Sequence, residues 1–294
     1  MPADNVRERA PAKVNLFLHV GTVQPNGRHP LDSLVVFAGP EAADTLDVRP
    51  AEDLSLSLTG PASAGLETNG TNLVLRAAAA LRDISGTVAG AACTLDKILP
   101  VASGIGGGSA DAGAALRALT ALWRLDPAFA RQVAPALGGD VPVALHNHPA
   151  LMQGEGEIVI PVTGLPPLPA VLANPGMACP TGPVFRAFDE AGGGAAFQTI
   201  DDVPAFLGTA DLIGWLGTQR NDLEAPAVHL VPAIAGLLDA LKALPGARLA
   251  RMSGSGATCF ALFETMADAD AAAAALRAAH PDWWVRATAL GDGA

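Results

Sequence analysis

From residue 12 to residue 20 apolar and polar side chains alternate, with Val14, Leu16, Leu18 and Val20 on one face and Lys13, Asn15, Phe17 and His19 on the other. Period-two alternation predicts a half-buried strand and sets Lys13 beside Asn15 on one surface. Further strands are predicted at 31–37 and 45–48, then at the alternating Leu54, Leu56 and Leu58. Residues 72–83 carry helical spacing, and Asn72 stands where a capping side chain belongs. A strand over 92–99 runs into a glycine-dense loop. Leu116, Leu119 and Leu122 then recur at three-residue spacing, which predicts a helix reaching about residue 124. Another helix over 128–137 ends at Gly138-Gly139.

Beyond a strand at 157–160, residues 161–169 hold four prolines in nine positions, a pattern that suits a junction between domains. The second part reads as strands at 170–173, 258–263 and 283–289 and helices at 183–191, 233–244 and 266–279. Strands and helices intermix without strict alternation, so the fold class is α+β. The expected division is 1–160 and 161–294.

Composition narrows the classes. Half of the 294 residues are hydrophobic and 16% are charged, a globular balance. A formal net charge of −11 argues against a nucleic-acid partner. Residues 1–9 are charged and lack the apolar centre of a signal peptide, and no apolar run reaches spanning length. Cys93, Cys179 and Cys259 are isolated and read as reduced, buried thiols. The expectation is a cytoplasmic protein acting on small molecules, monomeric or homodimeric, with no membrane contact. His146 and His148 lack the company of a metal site and read as a surface loop.

The strongest chemical signal lies at 99–112, where Gly104, Gly106, Gly107 and Gly108 fill four of five positions before a helix. Such a loop leaves backbone N–H groups unpaired at the positive end of a helix dipole, where a phosphate is welcome. A tight turn with a capped helix is the plainer alternative. The familiar phosphate signatures are absent: no Gly-Lys-Ser/Thr follows, and Ser109 stands where a dinucleotide fingerprint needs its third glycine.

The string from Pro100 to Ala112 resembles the phosphate loop of the galactokinase, homoserine kinase, mevalonate kinase and phosphomevalonate kinase (GHMP) superfamily. Residues 11–20 and 251–260 resemble its first and third motifs, in the right order over about 250 residues. The resemblance implies a two-domain GHMP kinase fold with the active site in the interdomain cleft. It also implies ATP as phosphoryl donor, with Mg²⁺ held mainly through the ATP phosphates and no dedicated protein metal site. Asn72, Lys97, Pro100, Gly104, Ile105, Gly106, Gly107, Gly108, Ser109 and Ala110 match positions at the nucleotide. Asp140 matches the general base and Lys13 its cationic partner, although a turn aspartate capping the next element would look the same.

Segments 26–33, 95–100 and 138–142 resemble the superfamily branch that phosphorylates the 2-hydroxyl of 4-diphosphocytidyl-2-C-methyl-D-erythritol, in non-mevalonate isoprenoid synthesis. In that resemblance Asn15, Arg28, His29, Thr181 and Phe185 fall at the acceptor, His29 at the cytosine edge and Phe185 on its face. Arg28 departs from the pattern, which usually has tyrosine there; a guanidinium plane can also stack on a base. Another GHMP kinase, or an inactive nucleotide-binding protein on the same fold, remains open at this point.

Overall fold

The computed structural model describes residues 5–194 and 199–293. Residues 1–4 of the charged amino-terminal stretch, and 195–198 and 294 of the expected second domain, lie outside the described residues. The α+β fold class holds, built on two sheets.

A four-stranded sheet has the order Val6–Pro11, Ala43–Ala51, Gly90–Asp96, Leu54–Thr59. Its last pair is parallel, and the helix Leu73–Ser85 makes the crossover between them. That helix packs with Gly107–Leu122 and Pro127–Leu137 around Leu46, Leu81, Leu95 and Leu116. The strand Val6–Pro11 is hidden in the sequence because its outward positions are charged. Arg7 sits opposite Asp47 in the register and grips it with two hydrogen bonds of 2.8 and 2.9 Å.

The nine-stranded sheet runs Leu249–Met252, Cys259–Leu262, Leu168–Asn174, Trp284–Gly291, Leu31–Ala38, Ala150–Gly154, Ile158–Pro161. Lys13–Asn15 and His19–Val20 also pair with Leu31–Ala38. The expected single strand over 12–20 is thus two short ones, with both faces buried rather than one. Between them Leu16 N still donates to Leu34 O at 2.8 Å, while Leu18 forms a parallel bridge to Asn221. The sheet spans both halves of the chain. Its seam, between Trp284–Gly291 and Leu31–Ala38, is short: among the described residues the paired positions are Leu290↔Ala38 and Gly291↔Phe37, with Gly39 N donating to Ala289 O beside them.

One helix absent from the sequence expectation positions the site. Val141–His146 follows directly on Gly138-Gly139-Asp140 and lies against Gly107–Leu122. The close approach depends on Gly113, where an added Cβ would come within 2.7 Å of the Ala144 carbonyl carbon. Buried Ala110, Ala114, Ala115 and Ala118 explain the alanine-rich sequence of the longer helix, which is packed on most of its surface. His146 is therefore the last residue of a helix, not part of a loop; the exposed His148 reaches Asp292 at 3.2 Å.

Candidate active site

The three glycine-bearing or strand motifs are locked together by hydrogen bonds, one backbone to backbone and two through the Ser253 hydroxyl. Lys13 N donates to Ile105 O at 3.0 Å, joining the first strand motif to the phosphate-type loop. Asn15 N donates to Ser253 Oγ at 3.1 Å, and Ser253 Oγ donates to Gly104 O at 3.2 Å. Gly104, at φ +76°, has no room for a side chain: a Cβ would sit 2.5 Å from Ser253 O and 2.6 Å from Gly256 N. Glycine there is a packing requirement between two loops.

These contacts enclose a cleft of about 360 Å³ lined by Lys13, Asn15, Ser33, Gly104, Gly106, Gly107, Gly108, Ser109, Asp140, Thr181, Phe185, Gly254 and Ser255, among others. Gly106 is the amino-terminal cap of Gly107–Leu122 and has a left-handed conformation. The first-turn amides of that helix have no intrahelical acceptors, so their dipoles are available at the cleft. Ile105 and Ala110 lie buried beneath it.

Lys13 Nζ lies 3.1 Å from Asp140 Oδ2 and donates to Asn15 Oδ1 at 2.8 Å. Asn15 is held in turn, its Nδ2 donating to Ser33 Oγ at 2.8 Å. Asp140 occupies the cap position of Val141–His146, yet its carboxylate makes no capping hydrogen bond. Its carboxylate is consequently free to face the cleft, with its side chain 37% exposed while that of Lys13 is 6% exposed. Such a pair can take a proton from an alcohol and stabilise negative charge near it.

A second cavity of about 320 Å³ is lined by Thr71, Asn72, Lys97, Pro100, Gly107, Gly108 and Asp111, among others. It shares Leu73, Ala102, Gly107 and Gly108 with the first. Asn72 caps its helix as expected, accepting from Val74 N at 2.9 Å. Lys97 is no solvated strand-end lysine. Its ammonium is buried and donates to Asp44 and, at 2.7 Å, to Asp111. Burial alone would lower the Lys97 pKa, but Asp111 and Asp44 outweigh it and raise it. Burial pushes Asp111 up to about 7 against the pull of Lys97.

The acceptor-side residues are split. Phe185 and Thr181 face the cleft, and Thr181 Oγ1 lies 3.0 Å from Ser255 Oγ. His29 and Arg28 are not among the residues lining it. His29 is buried, with Nδ1 3.0 Å from Gly21 O and Nε2 3.4 Å from Asp189 Oδ1. Its ring rests against Phe185 at 5.0 Å between centroids, so no base fits between those two rings as they stand. Arg28 is exposed and reaches Glu155 at 2.9 Å. Ser33, Gly254 and Ser255 line the cleft but were not singled out in the sequence, although all lie within segments 26–33 and 251–260.

Mg²⁺ takes oxygen ligands and keeps several waters, with much of its shell supplied by substrate phosphates. Ser109 and Asp140 line the same cleft and provide such oxygens, so the residues present are compatible with a phosphate-borne ion.

Comparison with known proteins gives the same family from end to end. Residues 72–148 match the GHMP kinases N terminal domain and 205–282 the GHMP kinases C terminal domain. A 4-diphosphocytidyl-2-C-methyl-D-erythritol kinase of Hyphomonas neptunium is 59% identical over 284 residues, covering 96% of this chain and 95% of its own length. The enzyme of that name from Parvibaculum lavamentivorans is 49% identical, covering 97% of this chain and 98% of its own length. A crystal structure of 4-(cytidine 5'-diphospho)-2C-methyl-D-erythritol kinase superposes with a TM-score of 0.75 at 35% identity, covering 98% of this chain and 100% of that one. The chain belongs to the GHMP kinase family, and it is an ATP-dependent kinase of a small molecule.

Proposed function

We propose that the chain transfers the γ-phosphoryl group of ATP to the 2-hydroxyl of 4-diphosphocytidyl-2-C-methyl-D-erythritol, in the non-mevalonate route to isoprenoid precursors. The names of relatives similar over nearly the whole chain support the acceptor. The observation that carries the chemistry is the 3.1 Å contact between Lys13 and Asp140, in the cleft that also holds the glycine loop. Asp140 takes the hydroxyl proton as the oxygen attacks the γ-phosphorus and the bond to the β-phosphate oxygen breaks. Lys13, steadied by Asn15, offsets negative charge on the moving phosphoryl group. The first-turn amides of Gly107–Leu122 bind the phosphates. Mg²⁺, held mainly through the ATP phosphates, would neutralise their charge when bound, with the Ser109 hydroxyl as the oxygen donor within its reach in the cleft.

Phe185 and Thr181 would receive the cytidyl end, with His29 supporting Phe185 from behind and Arg28 at the rim. A division at 160/161, with one family model on either side, and a cytoplasmic location belong to the same proposal. The test is ADP release with ATP and Mg²⁺ against three acceptors: the cytidylated polyol, the same polyol phosphate without its cytidyl group, and mevalonate. Only the first is expected to turn over efficiently, because a site built for a base leaves polar groups unpaired without it. Equal rates with the uncytidylated acceptor would overturn the substrate assignment. No turnover with any of them would overturn the catalytic one.

A further inference from the structure

A groove larger than the catalytic cleft lies beside the carboxy-terminal part of Gly107–Leu122. Its volume is about 1110 Å³, and none of its lining residues is shared with the cleft or the neighbouring cavity. Its walls come from Gly107–Leu122, Pro127–Leu137 and Val141–His146, with one side closed by the Glu157–Val159 segment.

The chemistry of that lining is two-sided. Leu125, Pro135, Pro142 and Val159 give it apolar surface. Arg117, Arg124 and Arg131 bring three of the chain's 18 lysines and arginines to one place, in a protein of net charge −11. Arg117 is already committed, to Glu8 at 2.8 Å and to the carbonyls of Ala144 and Arg9 at 2.7 Å each. Arg124 and Arg131 have no ion pair among the described residues. Glu157 is the single acid in the lining, and its carboxylate already accepts from Glu155 N.

We propose that this groove is a second binding site, for an organic phosphate with an apolar body. Guanidinium groups match phosphate oxygens with paired donors, which gives the anion its place. The proline- and leucine-bearing walls favour a ligand that also buries carbon over a bare inorganic ion. The site borders the catalytic turn without joining it: Pro142 lines the groove two positions after Asp140, and His146 lines it from the other end of the same helix.

Octyl phosphate serves as the probe, titrated calorimetrically into the full chain already saturated with ATP and Mg²⁺. It should bind at one per chain. Arg124→Gln combined with Arg131→Gln should weaken it by about tenfold or more, the cost of losing charge-assisted contacts. Both side chains are exposed, so the variant should keep its fold and its kinase rate, which serves as the control. Inorganic phosphate and octanol should each bind at least about tenfold more weakly than octyl phosphate. No binding of octyl phosphate, binding that ATP displaces, or binding unchanged in the double variant would overturn the proposal.

Discussion

Lys13 and Asp140 meet at 3.1 Å from opposite environments, a buried strand and the open amino-terminal end of a short helix. Lys13 is held by Asn15 and by the strand register, whereas Asp140 is held by the backbone of its turn. Asp140→Asn should lower kcat by about 10²–10⁴, the usual worth of a positioned acid or base, and leave ATP affinity and melting temperature nearly unchanged. Lys13→Met should lower kcat comparably. Steady-state kinetics check both, and a near-native kcat in either variant would remove that residue from the mechanism.

Two glycines of the same loop should fail in different ways. Gly104→Ala drives a Cβ into the backbone of Ser253 and Gly256, so it should lower the melting temperature sharply and reduce soluble yield. At Gly106 a Cβ would lie 3.4 Å from Lys13 Cε and 3.6 Å from Asp140 Oδ2, in ordinary contact. Gly106→Ala therefore costs only about 1–2 kcal/mol of left-handed backbone strain, and its main effect should be on turnover. Thermal unfolding measured beside kcat separates the two.

Lys97→Met should leave Asp44 and Asp111 facing each other without a cation. Removing one partner of a buried charge cluster costs about 3–5 kcal/mol. Asp44 also accepts from Ile98 N at 2.6 Å and Leu99 N at 2.9 Å, so the segment entering the glycine loop should loosen too. Urea unfolding reads the loss. Adding Asp111→Asn to Lys97→Met should recover part of it, because one of the stranded charges is then gone.

His19 makes stability fall in acid. Burial, with Arg220 adding to it, pushes its imidazole down to about 4. Its folded pKa thus lies below its unfolded value, so the unfolded chain gains the proton first. The contribution is complete above about pH 6.5 and declines as the pH drops toward 4, by at most about 3 kcal/mol. Asp32, 3.9 Å away and raised by burial, shifts stability in the opposite sense. Comparing wild type with His19→Gln at about pH 5 and about pH 7.5 isolates the histidine. A wild-type acid loss equal to that of the variant would contradict the assignment.

Much of the site was legible because it is written in local sequence. Lys13 beside Asn15 follows from period two, and Asn72 as a cap follows from its place before an apolar helix. What escaped depends on partners far along the chain. Gly138-Gly139 reads as the end of a helix and Asp140 as a possible cap of the next element, but nothing nearby says that a helix starts there without its carboxylate capping it. Leu249–Met252 did not read as a strand because Arg251 interrupts its apolar run. The guanidinium is nevertheless buried, donating to the carbonyls of Leu16, Leu216 and Gln219. Arg28 likewise reads as a base-stacking residue until the fold brings Glu155 to it from 127 positions away.

Trp284–Gly291, the last strand among the described residues, is flanked in its sheet by Leu168–Asn174 and Leu31–Ala38. During synthesis the strands on either side exist long before the one that joins them. Until residues 284–291 leave the ribosome, Leu31–Ala38 and Leu168–Asn174 each present an unpaired edge, the kind of surface that recruits stray strands. The nine-stranded sheet can close only after Trp284–Gly291 has emerged, and a nascent chain stalled near residue 280 would hold both glycine loops without the strand that ties their two halves into one sheet.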